Sequence, residues 1–178
     1  MSPDVVLTTE RLVLRPLTLD DAPDVQRFAS AYEIAANTLS IPHPYPPGAA
    51  EEWIRTREEE VFAIALREGD FVGTIGLRLK IHDDRGELGY WIGMPYWRRG
   101  YASEAARAMM EYGFGTLGLN KITAAHFGRN PASGRVLQKL GMQYEGTRRQ
   151  HHKKWDEYVD VVMYSILRDE WKGLRTED

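Results

Sequence analysis

Cysteine is absent from the 178-residue chain, which excludes disulfides, thiolate metal sites and a cysteine nucleophile. Long apolar runs are absent too. No window approaches the roughly 20 apolar residues of a membrane span, and "MSPDVVLTTERL" has no basic segment leading into an apolar one. A soluble, cytoplasmic chain with no membrane partner is the expectation. An excess of positive charge is also missing, since the net charge is −3. No broad nucleic-acid footprint follows from that composition, so any cationic feature must be local. Internal repeats, low-complexity tracts and the G-x-x-x-x-G-K-[ST] string of a P-loop are likewise not found.

What is present suits one compact domain spanning residues 1–178, because 43% hydrophobic content can supply a core. Proline clusters only in "IPHPYPPG". That stretch is expected to be a surface loop, either a plain connector or a substrate-side flap.

Alternation of apolar and polar residues in "RLVLRPL" predicts a first strand, and "TLDDAPDVQRFAS" places cap-type residues before a helical period. "GAAEEWIRTREEE" is helical by composition. "VFAIALREGDFVGTIGLRLK" predicts a hairpin turning at "EGD", where Gly69 can take a positive φ. "GELGYWIGM" and "KITAAHF" are expected as strands on either side of a helix from Tyr101 to about Leu117. A helix from near Asn130 to Gly141 and two strands, "MQYEGTRRQ" and "YVDVVMYSIL", complete an α/β mixed sheet.

The stretch "PYWRRGYASEAARAMMEYGF" sets two arginines and a glycine before an apolar-periodic segment. A helix N-terminus already carries unpaired N–H groups and the positive end of the dipole, so Arg98, Arg99 and Gly100 strengthen an anion site there. A dinucleotide fingerprint occurs by letter in "GFGTLG". It falls at the end of the helix rather than between a strand and a helix start, so those glycines are read as a helix terminus.

"WRRGYA", after a strand and opening a helix, resembles the acyl-CoA loop of the GNAT N-acetyltransferase superfamily, whose pattern is Q/R-x-x-G-x-G/A. Gly100 and Ala102 fit its small positions. Trp97 departs from the usual first residue, but is similar to the branch of the ribosomal-protein N-acetyltransferases RimJ and RimL. "LTTERLVLRPL", "ELGYWI", "NPAS", "LQKLGMQYEG" and "YVDVVMYSIL" resemble the same branch in order, so the likeness covers nearly the whole chain. It implies a GNAT fold: a single mixed, mostly antiparallel twisted sheet of about seven strands, flanked by helices, with central strands splayed to bind acetyl-CoA.

The resemblance also implies roles. The coenzyme pyrophosphate would rest on N–H groups of roughly Arg99 to Ala102, including Tyr101, with Gly100 letting the backbone approach and Arg98 and Arg99 adding charge. Trp91, Ile92 and Gly93 would flank the pantetheine arm, and a backbone N–H near Trp91 or Ile92 would stabilise the oxyanion. Asn130 would bond a pantetheine amide, although as the residue before Pro131 it is also a natural N-cap. Ser133 would protonate or hydrogen-bond the departing thiolate, while a serine in a helix's first turn is otherwise unremarkable. Glu87 or His126 would act as base. His151 and His152 stand where RimL-like enzymes use a carboxylate, and adjacent strand residues are expected on opposite faces, unsuited to one metal. Tyr90, Trp91, Tyr96 and Trp97 are expected mostly as packing. The implied acceptor is a primary amine, foremost a protein or peptide N-terminal α-amine. A polyamine, amino acid or aminoglycoside, or a coenzyme-binding module without catalysis, is the alternative. No metal is implied, and family habit favours a homodimer.

Overall fold

In the computed structural model, residues 5–57 and 59–173 are described. The chain begins with β1 (Leu7–Thr8) and β2 (Leu12–Pro16), whose alternation leaves Leu12 and Leu14 fully buried. Three short helices follow: α1 (Ala22–Ala29), α2 (Tyr32–Ala36) and α3 (Ala49–Thr56). Next come β3 (Glu60–Leu66) and β4 (Phe71–Lys80), joined by a turn in which Gly69 takes a φ of 110°. Then come β5 (Arg85–Ile92), α4 (Tyr101–Glu111), β6 (Lys121–Phe127), α5 (Pro131–Lys139), β7 (Gln143–Lys154) and β8 (Glu157–Leu167).

Eight strands form one sheet in the order β1-β2-β3-β4-β5-β6-β8-β7. The expected count of about seven rises by one because "LT", just before the first expected strand, folds back on it as β1. All pairings are antiparallel except that of β5 with β6, which the α4 crossover makes parallel. The helix from Tyr101 reaches its expected end near Leu117 but changes character on the way. Its regular part ends at Glu111, and Tyr112–Thr116 continue as a π-helical turn before Gly118, at φ 68°, breaks the run.

Side chains of alternate strand positions feed two cores, one on each face. On one face Leu88 and Ile122 pack with Met109, Met110 and Leu137 from α4 and α5. On the other, Phe71 packs with Val25, Phe28 and Ile54 from α1 and α3. Each fully buried aliphatic side chain contributes roughly 2 kcal/mol, so both faces anchor the central strands.

The sheet is not closed at its middle. Cα partners of β5 and β6 run from Arg85↔Lys121 only to Leu88↔Ala124. Beyond that point β5 stays with β4 as far as Ile92↔Gly73, and β6 stays with β8 as far as Phe127↔Val161. The two central strands therefore part along their C-terminal halves, each held by its outer neighbour.

Candidate active site

A cleft of about 1260 Å³ passes through this parting. One mouth opens at the start of α4. Gly100 caps that helix at φ 80°, a conformation that only glycine adopts without a Cβ penalty. Arg98 also has a positive φ, 61°, which for a non-glycine residue costs about 1 kcal/mol. Arg98, Gly100, Tyr101 and Ala102 line the cleft. The first N–H groups of α4 have no partner within the helix, so this mouth presents donors, a dipole and a cation together. Arg99 turns elsewhere: its guanidinium lies 5.9 Å from the Tyr96 ring.

A clamp from the far end of the sequence holds the loop. Thr9 Oγ1 donates to Glu104 Oε1 at 2.6 Å, the Arg11 N–H donates to the same oxygen at 2.9 Å, and Arg11 Nε donates to Oε2 at 2.7 Å. Arg11 also donates to the Arg99 carbonyl at 2.9 Å and lies 4.8 Å over the Tyr101 ring. Burial pushes the Glu104 carboxyl up, but the bonds from Thr9 and Arg11 outweigh it and hold its pKa below the ordinary value.

Deeper in, Gly93 N–H donates to Val72 O at 2.8 Å on the β4 side. Strand alternation therefore directs the Trp91 N–H toward β4 and the Ile92 N–H into the parting. The Ile92 carbonyl accepts from the Trp97 indole at 2.6 Å. Gly93 itself is buried against Phe28, behind the cleft wall. On the helix side of the parting, Tyr90 Oη and Ser133 Oγ are 3.0 Å apart. Burial raises the Tyr90 pKa, partly offset by that bond. Asn130 caps α5, accepting from the Ser133 N–H at 3.4 Å, and also lines the cleft. His126 stacks on Tyr164 at 5.8 Å, with Nδ1 2.7 Å from the Phe127 carbonyl. A carbonyl only accepts, so Nδ1 carries the proton. Gly134 explains the room for that ring, because a Cβ there would sit 2.8 Å from Nε2.

Glu87 and Trp91 point to the opposite face from Tyr90 and His126, so the two candidate bases lie on different sides of the sheet. Glu87 is exposed and lines the second mouth with Arg78, which is itself ion-paired to Glu59. The proline loop forms part of this wall through Leu39, Ile41, Pro42 and Tyr45. Lys154, 4% exposed, fastens it by donating to Ile41 O at 2.6 Å and Leu39 O at 3.4 Å. Burial, then the nearby Arg129, lowers the Lys154 pKa. Trp155 stacks on Tyr32 at 5.4 Å, and His43 meets both rings.

His152 reaches the same mouth. The expectation that His151 and His152 face opposite sides is corrected: their rings are 4.8 Å apart. The register of β7 slips between Arg148 and His152, where Gln150 has φ 47° and donates its N–H to Asp160 at 2.7 Å. No cluster of three or more His, Asp or Glu suited to a metal occurs among the described residues.

Sequence reasoning missed the Thr9–Arg11–Glu104 clamp, the Tyr90–Ser133 bond and the clasp of Lys154 and Trp155. None has a local signature.

The acetyltransferase (GNAT) domain family matches residues 11–143. The N-acetyltransferase p20 of Bacillus licheniformis is 32% identical over 94% of this chain and 98% of its own length. The L-amino acid N-acetyltransferase AaaT of Escherichia coli is 26% identical over 84% of this chain and 94% of its own. Among solved structures, a GNAT-family acetyltransferase from Bacillus anthracis superposes with a TM-score of 0.85 at 26% identity, covering 93% of this chain and all of its own.

Proposed function

Because the chain belongs to the GNAT acetyltransferase family and is an acetyl-CoA-dependent N-acetyltransferase, we propose that it acetylates a primary α-amine, foremost that of a protein or peptide N-terminus, in the cytoplasm. The observation that carries this reading is the cleft through the parted sheet, with a helix start suited to an anion at one mouth and an exposed carboxylate, Glu87, set across from Arg78, at the other. Such a passage lets two substrates meet from opposite faces.

In this reading the pyrophosphate of acetyl-CoA rests on the N–H groups at the start of α4, beside Arg98. The pantetheine follows the unpaired edge of β5, with Asn130 opposite. The Ile92 N–H points where a thioester oxyanion would develop. Glu87 takes the ammonium proton, directly or through water, and Ser133 hydrogen-bonds the departing sulfur. His126 fits the base role less well, since its ring packs beneath α5 on the coenzyme face.

An α-amine has an unperturbed pKa near 8 against about 10.4 for lysine, so a weak carboxylate base suffices to release it. AaaT, by its name, acts on L-amino acids, whose nucleophile is also an α-amine. A second reading is a small polycation, favoured by Glu33, Glu52 and Glu87 around the acceptor mouth.

Coenzyme A release across N-terminal peptides, free amino acids, polyamines and aminoglycosides, with mass spectrometry of products, tests both. Rapid turnover of a polyamine with none of any N-terminal peptide would overturn the first reading. Coenzyme A binding without any product would favour a non-catalytic module. The homodimer suggested by family habit is tested by sedimentation.

A further inference from the structure

The bond between Tyr90 and Ser133 joins the two halves of the parted sheet: Tyr90 belongs to β5, and Ser133 to the first turn of α5, which packs on β6. Both residues line the cleft. Tyr90 would not be needed there for packing alone, because a phenylalanine would fill the same space.

Which oxygen donates follows from acidity. A phenol near pKa 10 is a far stronger acid than an aliphatic hydroxyl, so the tyrosine donates and the serine accepts. That leaves the Ser133 proton free to turn into the cleft. Burial keeps Tyr90 protonated through the neutral range. Of the other titratable groups on this face, His126 holds its Nδ1 proton on the Phe127 carbonyl, Tyr164 stacks on its ring, and Tyr101 lines the cleft at the start of α4. Arg98, Arg135 and Lys139 bring positive charge to the same cleft.

We infer that Tyr90 is a positioning residue that orients Ser133 and recharges it, forming a two-hydroxyl relay to the departing sulfur. The inference rests on Ser133 lying beside that sulfur. As the amine nitrogen bonds to the acetyl carbon, the carbon–sulfur bond breaks and its electron pair stays on sulfur. Sulfur takes the Ser133 proton, and Ser133 takes the Tyr90 proton. Solvent reprotonates Tyr90, and the amine's surplus proton passes to Glu87, directly or through water. A serine alone would be left as an alkoxide; the phenol turns that into a phenolate, several pKa units less basic.

Steady-state kinetics of Tyr90→Phe, Ser133→Ala and the double variant test the relay. Tyr90→Phe should lower kcat roughly tenfold, the worth of one well-placed hydrogen bond, with KM for acetyl-CoA unchanged. The double variant should be no slower than Ser133→Ala alone. A normal kcat in Tyr90→Phe, or losses that multiply in the double variant, would overturn the relay. A second measurement needs no acceptor: ultraviolet titration of the thiol of bound coenzyme A. The wild-type protein should ionise it at lower pH than free coenzyme A, and Tyr90→Phe should return it toward the free value. Identical titrations in the two proteins would sink the relay. Should no amine be acetylated, the acceptor reading fails while this titration still decides the relay.

Discussion

At the mouth proposed for the coenzyme a single short stretch, Trp97 to Ser103, supplies loop, cation and helix start, whereas at the mouth proposed for the acceptor Asn37, Ile41, Trp53, Glu87 and His152 arrive from separate segments. In the proposed reading the first mouth meets a ligand that never changes, and it can be written contiguously. The second is assembled from loops and strand ends, so any one segment can alter it without disturbing the other. Acceptor choice and coenzyme binding would in this way be separable properties of one cleft.

The largest expected effect attacks the contiguous mouth. Gly100→Asp places a side chain on a φ of 80° and a carboxylate against the pyrophosphate. Calorimetry should find acetyl-CoA affinity lower by more than about a hundredfold, beyond what one lost hydrogen bond explains. Near-normal binding would show that the α4 start is not the phosphate site.

Glu87→Gln strikes the other mouth. If Glu87 is the base, kcat should fall about a hundredfold and the rising limb of the pH–rate profile should vanish, with acetyl-CoA affinity intact. His126→Ala, on the coenzyme face, should leave that limb in place. The reverse result would move the base to the other side of the sheet.

Glu104→Gln loosens the clamp without touching the coenzyme. Acetyl-CoA affinity should drop by roughly tenfold, as for a charge-assisted network worth about 1–2 kcal/mol. Stability should show a pH signature as well. Glu104 is depressed in the folded state, so its contribution is present above the unfolded value near 4.3 and is lost as pH falls through the folded pKa. Thermal melts should therefore separate wild type from Glu104→Gln at neutral pH and bring them together in acid. A gap independent of pH would mean that the carboxylate charge does not stabilise the loop.

The smallest effect sharpens the comparison most. Trp155→Ala removes the ring that stacks on Tyr32, a contact worth about 1 kcal/mol. KM for the acceptor should rise severalfold while KM for acetyl-CoA stays put. Parallel changes in both constants would show that the two mouths are coupled.

Much of the architecture was legible because it is periodic. Leu12 and Leu14 alternate into the core, and Ala105, Ala106, Met109 and Met110 repeat along one side of α4. The loop at Gly100 was legible because its parts are neighbours in sequence. Tyr90 was read as packing, since nothing local distinguishes a tyrosine that fills a core from one whose hydroxyl meets a serine 43 residues away. The proline loop could be placed on the surface but not assigned to a wall. Its role depends on Lys154, more than a hundred residues later, donating to the Ile41 carbonyl. For the histidine pair the alternation rule failed because a register slip at Gln150 interrupts the strand.

Glu104 accepts from Thr9 across 95 residues of chain, and that separation orders events during folding. The helix that carries Glu104 can form from local contacts soon after it emerges. The loop before it acquires its final shape only when the Thr9–Arg11 segment closes a circuit of that length, a step opposed by loop entropy. If the coenzyme binds as proposed, its binding is then a late reporter of folding rather than an early nucleus. In the same reading Thr9 and Arg11 come within the ligand's reach: a substitution at either would be felt at the proposed phosphate site in the Gly100 loop.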